Sequence, residues 1–235
     1  MGGVRFADIR NAVVAAAVLV SAASVEAATL PGFVLTASTD RVQYYSRGAA
    51  RPDVAKIEGF VTHLESQLGT TNAPASRYYL YATEQELAAG TGNSAAGVTF
   101  PAQHEVHSTL AFHRHELVHL VASRLGNPGV FFQEGLAVAL GDEGRWRGKA
   151  VNALAKKHAV KGSMAALVGG FSTLDPEVAY PMAGSFVAWL IQTKGLDHVK
   201  LFFNLSANGS AAAFDEAFGM SLDGAGAAWQ ATLRG

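Results

Sequence analysis

Apolar positions along the chain recur at two spacings, and the switches between them predict its elements. Alternating residues over 33–38 and 42–46 read as two strands joined by a turn at Thr39, Asp40 and Arg41. Pro52 opens a helix through Leu68. In it Val54, Ile57, Phe60, Val61, Leu64 and Leu68 share one stripe, and Gly69 ends it. A further strand is predicted over 77–82. Thr83 followed by Glu86 forms a capping-box pattern that starts a short helix to Ala89. Residues 97–100 and 105–108 read as two more strands, paired across a break at Pro101.

The rest of the chain follows the helical period. Ser108 or Thr109 caps a helix in which Leu110, Leu117 and Val121 repeat and Val118, Ala122 and Leu125 widen the stripe. Gly126 and Pro128 mark its end. A second helix is predicted over 131–140, apolar apart from Gln133 and Glu134. Further helices are predicted at 151–154, 164–168, 184–193, 196–205, 211–218 and 222–233. This order predicts an α+β fold. Residues 28–125 form a lobe with a small mixed sheet and helices, and residues 126–235 a helical lobe of the same domain.

A length of 235 residues with 49% hydrophobic content suits one domain. The net charge of −1 gives no general electrostatic case for nucleic acid or an anionic membrane as partner. The beginning of the chain reads as a secretory signal peptide over residues 1–27. Arg5 and Arg10 make its basic region, 12–20 its apolar region, and Val25-Glu26-Ala27 a cleavage site. The apolar run is too short to favour a spanning helix, so no stable membrane span is expected after cleavage near Ala27, with an uncleaved anchor as the alternative. The chain has no cysteine, which excludes a lipoprotein anchor and disulfides. An exported domain over 28–235, periplasmic or secreted, must then rest on its core and on any metal it binds.

The densest chemistry lies in residues 113–120. His115 and His119 are four apart, so their imidazoles project from one helix face, one turn above the other. They can fill two of the four positions around a tetrahedral zinc ion. Glu116 stands off that face, placed to take a proton from water on the metal. Glu134 becomes the third ligand by its height on the next helix. His119 lies about 9 Å before the predicted helix end and Glu134 about 6 Å past the turn, so the two side chains face each other. A lone carboxylate in an apolar run is costly unless paired or metal-bound. The plainer readings are an exposed His/Glu helix face without metal and, for Glu134, a carboxylate favoured by the dipole at a helix start. His113 falls about 200° round the helix from His115 and reads as a surface or supporting residue. His104 and His107 read as polar strand positions, with substrate contact as the alternative.

The run His115-Glu116-Leu117-Val118-His119, followed by Phe131-Phe132-Gln133-Glu134-Gly135-Leu136-Ala137, resembles the gluzincin zinc metallopeptidases, and within them the compact peptidase MA-like proteins. The stretch from Tyr180 to Leu190 with Lys194 and Gly195 resembles the family's later helix. That from Phe214 to Leu222, with Trp229, resembles its closing helices. The resemblance spans most of the chain beyond residue 27, although only the first two motifs are specific. It implies a zincin-like fold with the active-site cleft between the two lobes. It also implies one zinc ion per chain on His115, His119 and Glu134, and Glu116 as general base. The strand before the metal helix would line the cleft and pair with extended substrate. Tyr180, ahead of Gly184, would donate to the oxyanion, against a plain packing role for this aromatic.

Two features depart from the family pattern. Only fourteen residues separate His119 from Glu134, fewer than in thermolysin-like members. Val138 stands where those members place an acidic residue that orients a ligand histidine; Asp142 or Glu143 could take that role, with surface charges at a helix end as the favoured reading. No acidic pair for a substrate amine and no arginine for a substrate carboxylate stands out, so endopeptidase and exopeptidase action stay open. The expected function is an exported zinc-dependent metallopeptidase acting on peptide or protein substrates. The alternatives are a non-catalytic exported protein with zinc in a binding or structural role on the same scaffold, and an interaction protein without metal.

Overall fold

The computed structural model describes residues 30–48, 52–70, 74–158, 162–206 and 210–234. The expected signal segment, 1–27, lies outside the described residues. Strands β1 (Val34–Ser38) and β2 (Val42–Ser46) form the expected antiparallel hairpin, with an irregularity between Leu35 and Ala37. Helix α1 (Val54–Leu68) connects β2 to β3 (Ser76–Leu80), which runs parallel to β2. Asp53 caps α1 by accepting from the Lys56 amide, so Pro52 stands outside the helix. Helix α2 (Glu84–Thr91) starts at Thr83, whose hydroxyl accepts from the Glu86 amide as the capping pattern requires. Then come β4 (Gly97–Phe100) and β5 (Glu105–Ser108), antiparallel to each other, with β5 parallel to β3. The result is a mixed five-stranded sheet in the order β1-β2-β3-β5-β4, with β4 at one edge. With the helices that follow, the α+β class holds.

Side chains alternate across this sheet. Val42, Tyr44, Tyr78 and Val106 face the core shared with α1 and with α3 (Arg114–Ala122). Tyr45, Tyr79 and His107 stack in a row on the other face, at 5.0 and 4.8 Å between ring centres. His107 is buried there between the Tyr81 hydroxyl at 3.0 Å and Glu105 at 3.1 Å. It is a packed strand residue, remote from the ligand histidines' side of the sheet.

Helix α3 begins later than the apolar stripe suggests. Ser108 does not cap it, because that residue ends β5 and its hydroxyl accepts from the Leu110 amide and contacts the His113 ring. The Tyr78 hydroxyl pins the turn between, accepting from the His113 amide and donating to the Leu110 carbonyl. Helix α4 (Val130–Leu136) continues through a π-helical turn over Ala137–Gly141. A short hairpin, β6 (Arg145–Trp146) and β7 (Lys149–Ala150), leads into α5 (Val151–Ala155) and α6 (Met164–Gly169). Then follow α7 (Pro176–Lys194), α8 (Leu196–Leu205), α9 (Ala211–Phe218) and α10 (Leu222–Arg234).

Helix α7 begins eight residues before the predicted start at 184. Asp175 caps it by accepting from the Glu177 amide, and Pro176 takes the first position, where its missing N–H costs nothing. The helix runs on through Pro181 at the loss of one backbone hydrogen bond. Tyr180 therefore stands inside a helix, not ahead of one. No helix among the described residues is long and apolar enough to cross a membrane.

The α4–α7 contact fixes how the second metal-site helix sits. Phe131, Phe132 and Phe186 are buried in it. Gly135 lets the backbones approach: a Cβ there would lie 2.5 Å from Val187 Cγ2 and 2.7 Å from the Ala183 carbonyl oxygen. A Gly→Ala change inside a helix ordinarily gains up to about 1 kcal/mol. At Gly135 the clash is with backbone, which cannot swing aside. Gly135→Ala is therefore expected to lose about 1–3 kcal/mol, read as a lower urea midpoint at unchanged slope. A neutral or stabilising result would mean that α4 moves off α7 freely.

Candidate metal centre

Four-residue spacing on α3 places the His115 and His119 rings 4.8 Å apart. Glu134 reaches them from α4. Its Oε2 lies 3.0 Å from His115 Nε2 and 3.4 Å from His119 Nε2. One ligand atom from each of the three residues falls within 4.8 Å of the others. Two donors each about 2.1 Å from a tetrahedral ion stand about 3.4 Å apart, so the spacing fits one ion. The three residues singled out from the sequence are thus brought together as a group that can hold a metal ion.

Asp142 completes the support of this group: the orienting role, the alternative for this residue, fits, and the favoured surface role does not. Its Oδ2 lies 2.7 Å from His115 Nδ1, which fixes the ring with Nε2 towards Glu134. The π-helical turn explains why. Eight residues of plain α-helix would leave Asp142 about 80° out of line with Glu134. The turn over Ala137–Gly141 closes with the Asp142 amide on the Ala137 carbonyl, five residues back, and takes up the excess. Gly141 makes the approach possible, since a Cβ there would meet the His115 Cα at 2.9 Å. The next residue, Glu143, pairs with Arg114 at the start of α3. Val138 is buried and takes no part.

Glu116 is buried at the wall of the same cleft as these three residues, with its carboxylate against β4. The Thr99 hydroxyl lies 2.8 Å from its Oε2 and 2.9 Å from its carbonyl oxygen. The hydroxyl has one proton, and an ionised carboxylate is the stronger acceptor. Gly97 lets the edge strand come this close, because a Cβ there would clash with the His113 ring and lie 2.8 Å from Glu116 Cγ. His113 is not a surface residue. Its Nδ1 is 2.8 Å from the Ser108 hydroxyl, and burial lowers its pKa, which favours the neutral ring.

Tyr180 stands on the opposite wall, its ring 6.2 Å from that of His115. Burial, followed by the charges of Glu134 and Glu116, pushes its phenol up to about 12, so it stays an O–H donor at neutral pH. Trp146 of the hairpin stacks on it at 4.3 Å with the rings 18° apart. Together these groups line a cleft of about 1370 Å³. His104 and His107 do not line it. No family model, curated protein or solved structure matches the chain.

Thr99 and Trp146 were not singled out in the sequence: a threonine in a strand and a tryptophan in a loop carry no spacing that marks them. Asp142 was open as a partner of a ligand histidine from its place two turns beyond Glu134, and the π-helical turn is what brings it into line.

Charge holds the metal-free site together. Burial opposes ionisation of His115, yet the hydrogen bonds to Asp142 and Glu134 outweigh it and raise the imidazole from 6.5 to about 10. Burial also opposes ionisation of Glu134, and the two histidines outweigh it, lowering the carboxyl from 4.5 to about 2. By linkage, the His115 contribution to stability is whole below pH 6.5 and disappears as the pH rises through about 10; that of Glu134 is whole above pH 4.5 and disappears as the pH falls through about 2. The metal-free protein is therefore expected to lose melting temperature between pH 6.5 and 10, and Asp142→Asn to flatten that loss. A wild-type melting temperature independent of pH across that range would contradict the ion pairing. The same Asp142→Asn change should weaken binding of a divalent metal by about 10–100-fold, measured by competition with a chelator.

Proposed function

We propose that the protein is a zinc-dependent metallopeptidase with a zincin-like fold, exported by its N-terminal segment, that hydrolyses peptide bonds in this cleft. The observation that carries the reading is the second carboxylate. Glu116 is next to the ligand group yet no part of it, and it is held by Thr99 at the wall of the cleft. A site that only stored metal would need no such acid–base group. Two imidazoles and one carboxylate are a ligand set of catalytic zinc sites, which leave a fourth position open. One zinc ion per chain on His115, His119 and Glu134 follows from that set.

Bound there, zinc would supply Lewis acidity, acidifying a water molecule and polarising the peptide carbonyl. Glu116 accepts the proton of the attacking water and passes it on to the leaving amine. Tyr180 donates its phenol proton as a hydrogen bond to the carbonyl oxygen as that atom gains negative charge. The unpaired edge of β4 takes the backbone of an extended substrate, which gives affinity with little side-chain selectivity. Thr99 lies in that strand, so the element that aligns the substrate also holds the base. The cleft exceeds the roughly 300–1,000 Å³ of an ordinary small-molecule site, which favours a chain as substrate.

The test is metal analysis paired with cleavage of a peptide library. Wild type is expected to carry one zinc per chain, and His115→Ala and His119→Ala to lose it. Glu116→Gln should keep zinc and lose about 10²–10⁴-fold in kcat. Turnover by Glu116→Gln at the wild-type rate would sink the mechanism. A zinc-loaded wild type that cleaves no peptide would favour a binding role.

A further inference from the structure

We propose that the β6–β7 hairpin is a carboxylate-binding subsite of the cleft. The preferred peptides then carry an anionic carboxylate about two or three residues from the bond that is cleaved. This rests on the peptidase reading above and names the substrate class of that site.

The placement follows from the aromatic stack. Two ring-to-ring steps, 4.3 Å from Trp146 to Tyr180 and 6.2 Å from Tyr180 to His115, lead from the hairpin to the metal ligands. An extended chain advances about 3.3–3.6 Å per residue, so the hairpin meets a substrate two or three residues from the reacting carbonyl. Trp146 is fixed there from both sides, because its Nε1 also donates to Glu177 at 3.3 Å.

The charge follows from which acids are already engaged. Among the described residues, Arg145 and Arg147 are the only guanidinium groups that line the cleft. The acids just before the hairpin are taken: Asp142 by His115 and Glu143 by Arg114. Arg145 donates to the Gly148 carbonyl of its own turn at 3.0 Å and forms no ion pair among the described residues. Arg147 pairs with Glu177 at 3.0 Å, but both side chains are more than half exposed, at 72% and 51%. Such a pair is weak and open to exchange for another carboxylate. Lys149, exposed on β7, adds a third cation.

The hairpin also keeps an arginine where the backbone disfavours one. Arg147 and Gly148 form its two-residue turn, with φ of 46° and 79°. Turns of this kind favour Asn-Gly, since a side chain such as arginine rarely adopts the left-handed region. The arginine held there stands at the rim of the cleft. A guanidinium fork takes a carboxylate through two parallel hydrogen bonds, which an ammonium cannot do. The carboxylate has two sources with the same chemistry, an Asp or Glu side chain or the α-carboxylate at the end of the peptide.

The experiment uses the zinc-loaded full chain and peptides that share one cleaved bond. Glu, Gln or Lys is placed two and three residues to either side, each with a free or amidated C-terminus. Wild type should favour Glu over Gln by about 10-fold in kcat/KM, mostly through KM, as a charged hydrogen bond implies. A preference that follows the free C-terminus would identify the α-carboxylate as the group bound. Arg145→Gln should bring the ratio towards one, Arg145→Glu should turn it towards Lys, and Arg145→Lys should restore part of it.

Binding of the same labelled peptides to zinc-loaded Glu116→Gln, read by fluorescence anisotropy, gives an arm that needs no turnover. Cleavage with equal efficiency for all peptides overturns the subsite and leaves the peptidase reading intact. No cleavage, but Arg145-dependent binding of the acidic peptides, overturns the peptidase reading and leaves the subsite. Equal binding with no cleavage overturns both.

Discussion

The site is organised around one carboxylate, that of Glu134, wedged between two imidazoles. It projects from a helix that is apolar on nearly every other side, where an unpaired carboxylate would cost several kcal/mol, roughly 3 or more. His115 and His119 answer that charge. The imidazolium formed at His115 must in turn be answered, and Asp142 does so through the other ring nitrogen. Arg114 then holds Glu143, the residue after Asp142, back onto α3. Charges alternate from one element to the next, so α3, α4 and the turn beyond are tied by the same sequence of contacts that prepares a metal site.

Backbone approach is the second condition, and glycines provide it at three walls. Gly135 seats α4 on α7, Gly141 brings the π-helical turn down on His115, and Gly97 brings β4 up to Glu116. A Cβ at Gly135 would meet Val187 and the Ala183 backbone of α7, and at the other two positions it would meet the residues of the site itself. The functional side chains are thus set less by their own rotamers than by how near three separate strands and helices can come.

How much of this was legible in the sequence depends on whether a feature keeps a regular period. His115, His119 and Glu134 do: four residues on one helix, and a matched height across a short turn, were enough to bring them together. The sheet strands, the apolar stripe of α1 and the capped start of α2 were legible for the same reason. The orienting role of Asp142 was legible only as the lesser alternative, because the π-helical turn shifts the phase between it and Glu134. The start of α3 was placed too early because the apolar stripe begins at Leu110, in a turn that Tyr78 holds from another strand. Tyr180 was placed ahead of a helix predicted from 184, whereas the cap at Asp175 had already begun one at Pro176. Thr99 and the arginines of the hairpin reach the cleft through tertiary placement alone, which no local pattern encodes.

Strand β4 has a consequence of a different kind. It is the edge of the sheet, so among the described residues one side of its backbone has donors and acceptors without a strand partner. An edge open to an extended peptide is equally open to the same edge of another copy, the usual first step of edge-to-edge aggregation. Its defence is brevity. The strand is four residues long, and Pro101 closes it into a single 3₁₀ turn. So short an edge offers two copies too few hydrogen bonds to stay together, whereas a chain lying on it could gain the rest of its hold from the adjoining cleft.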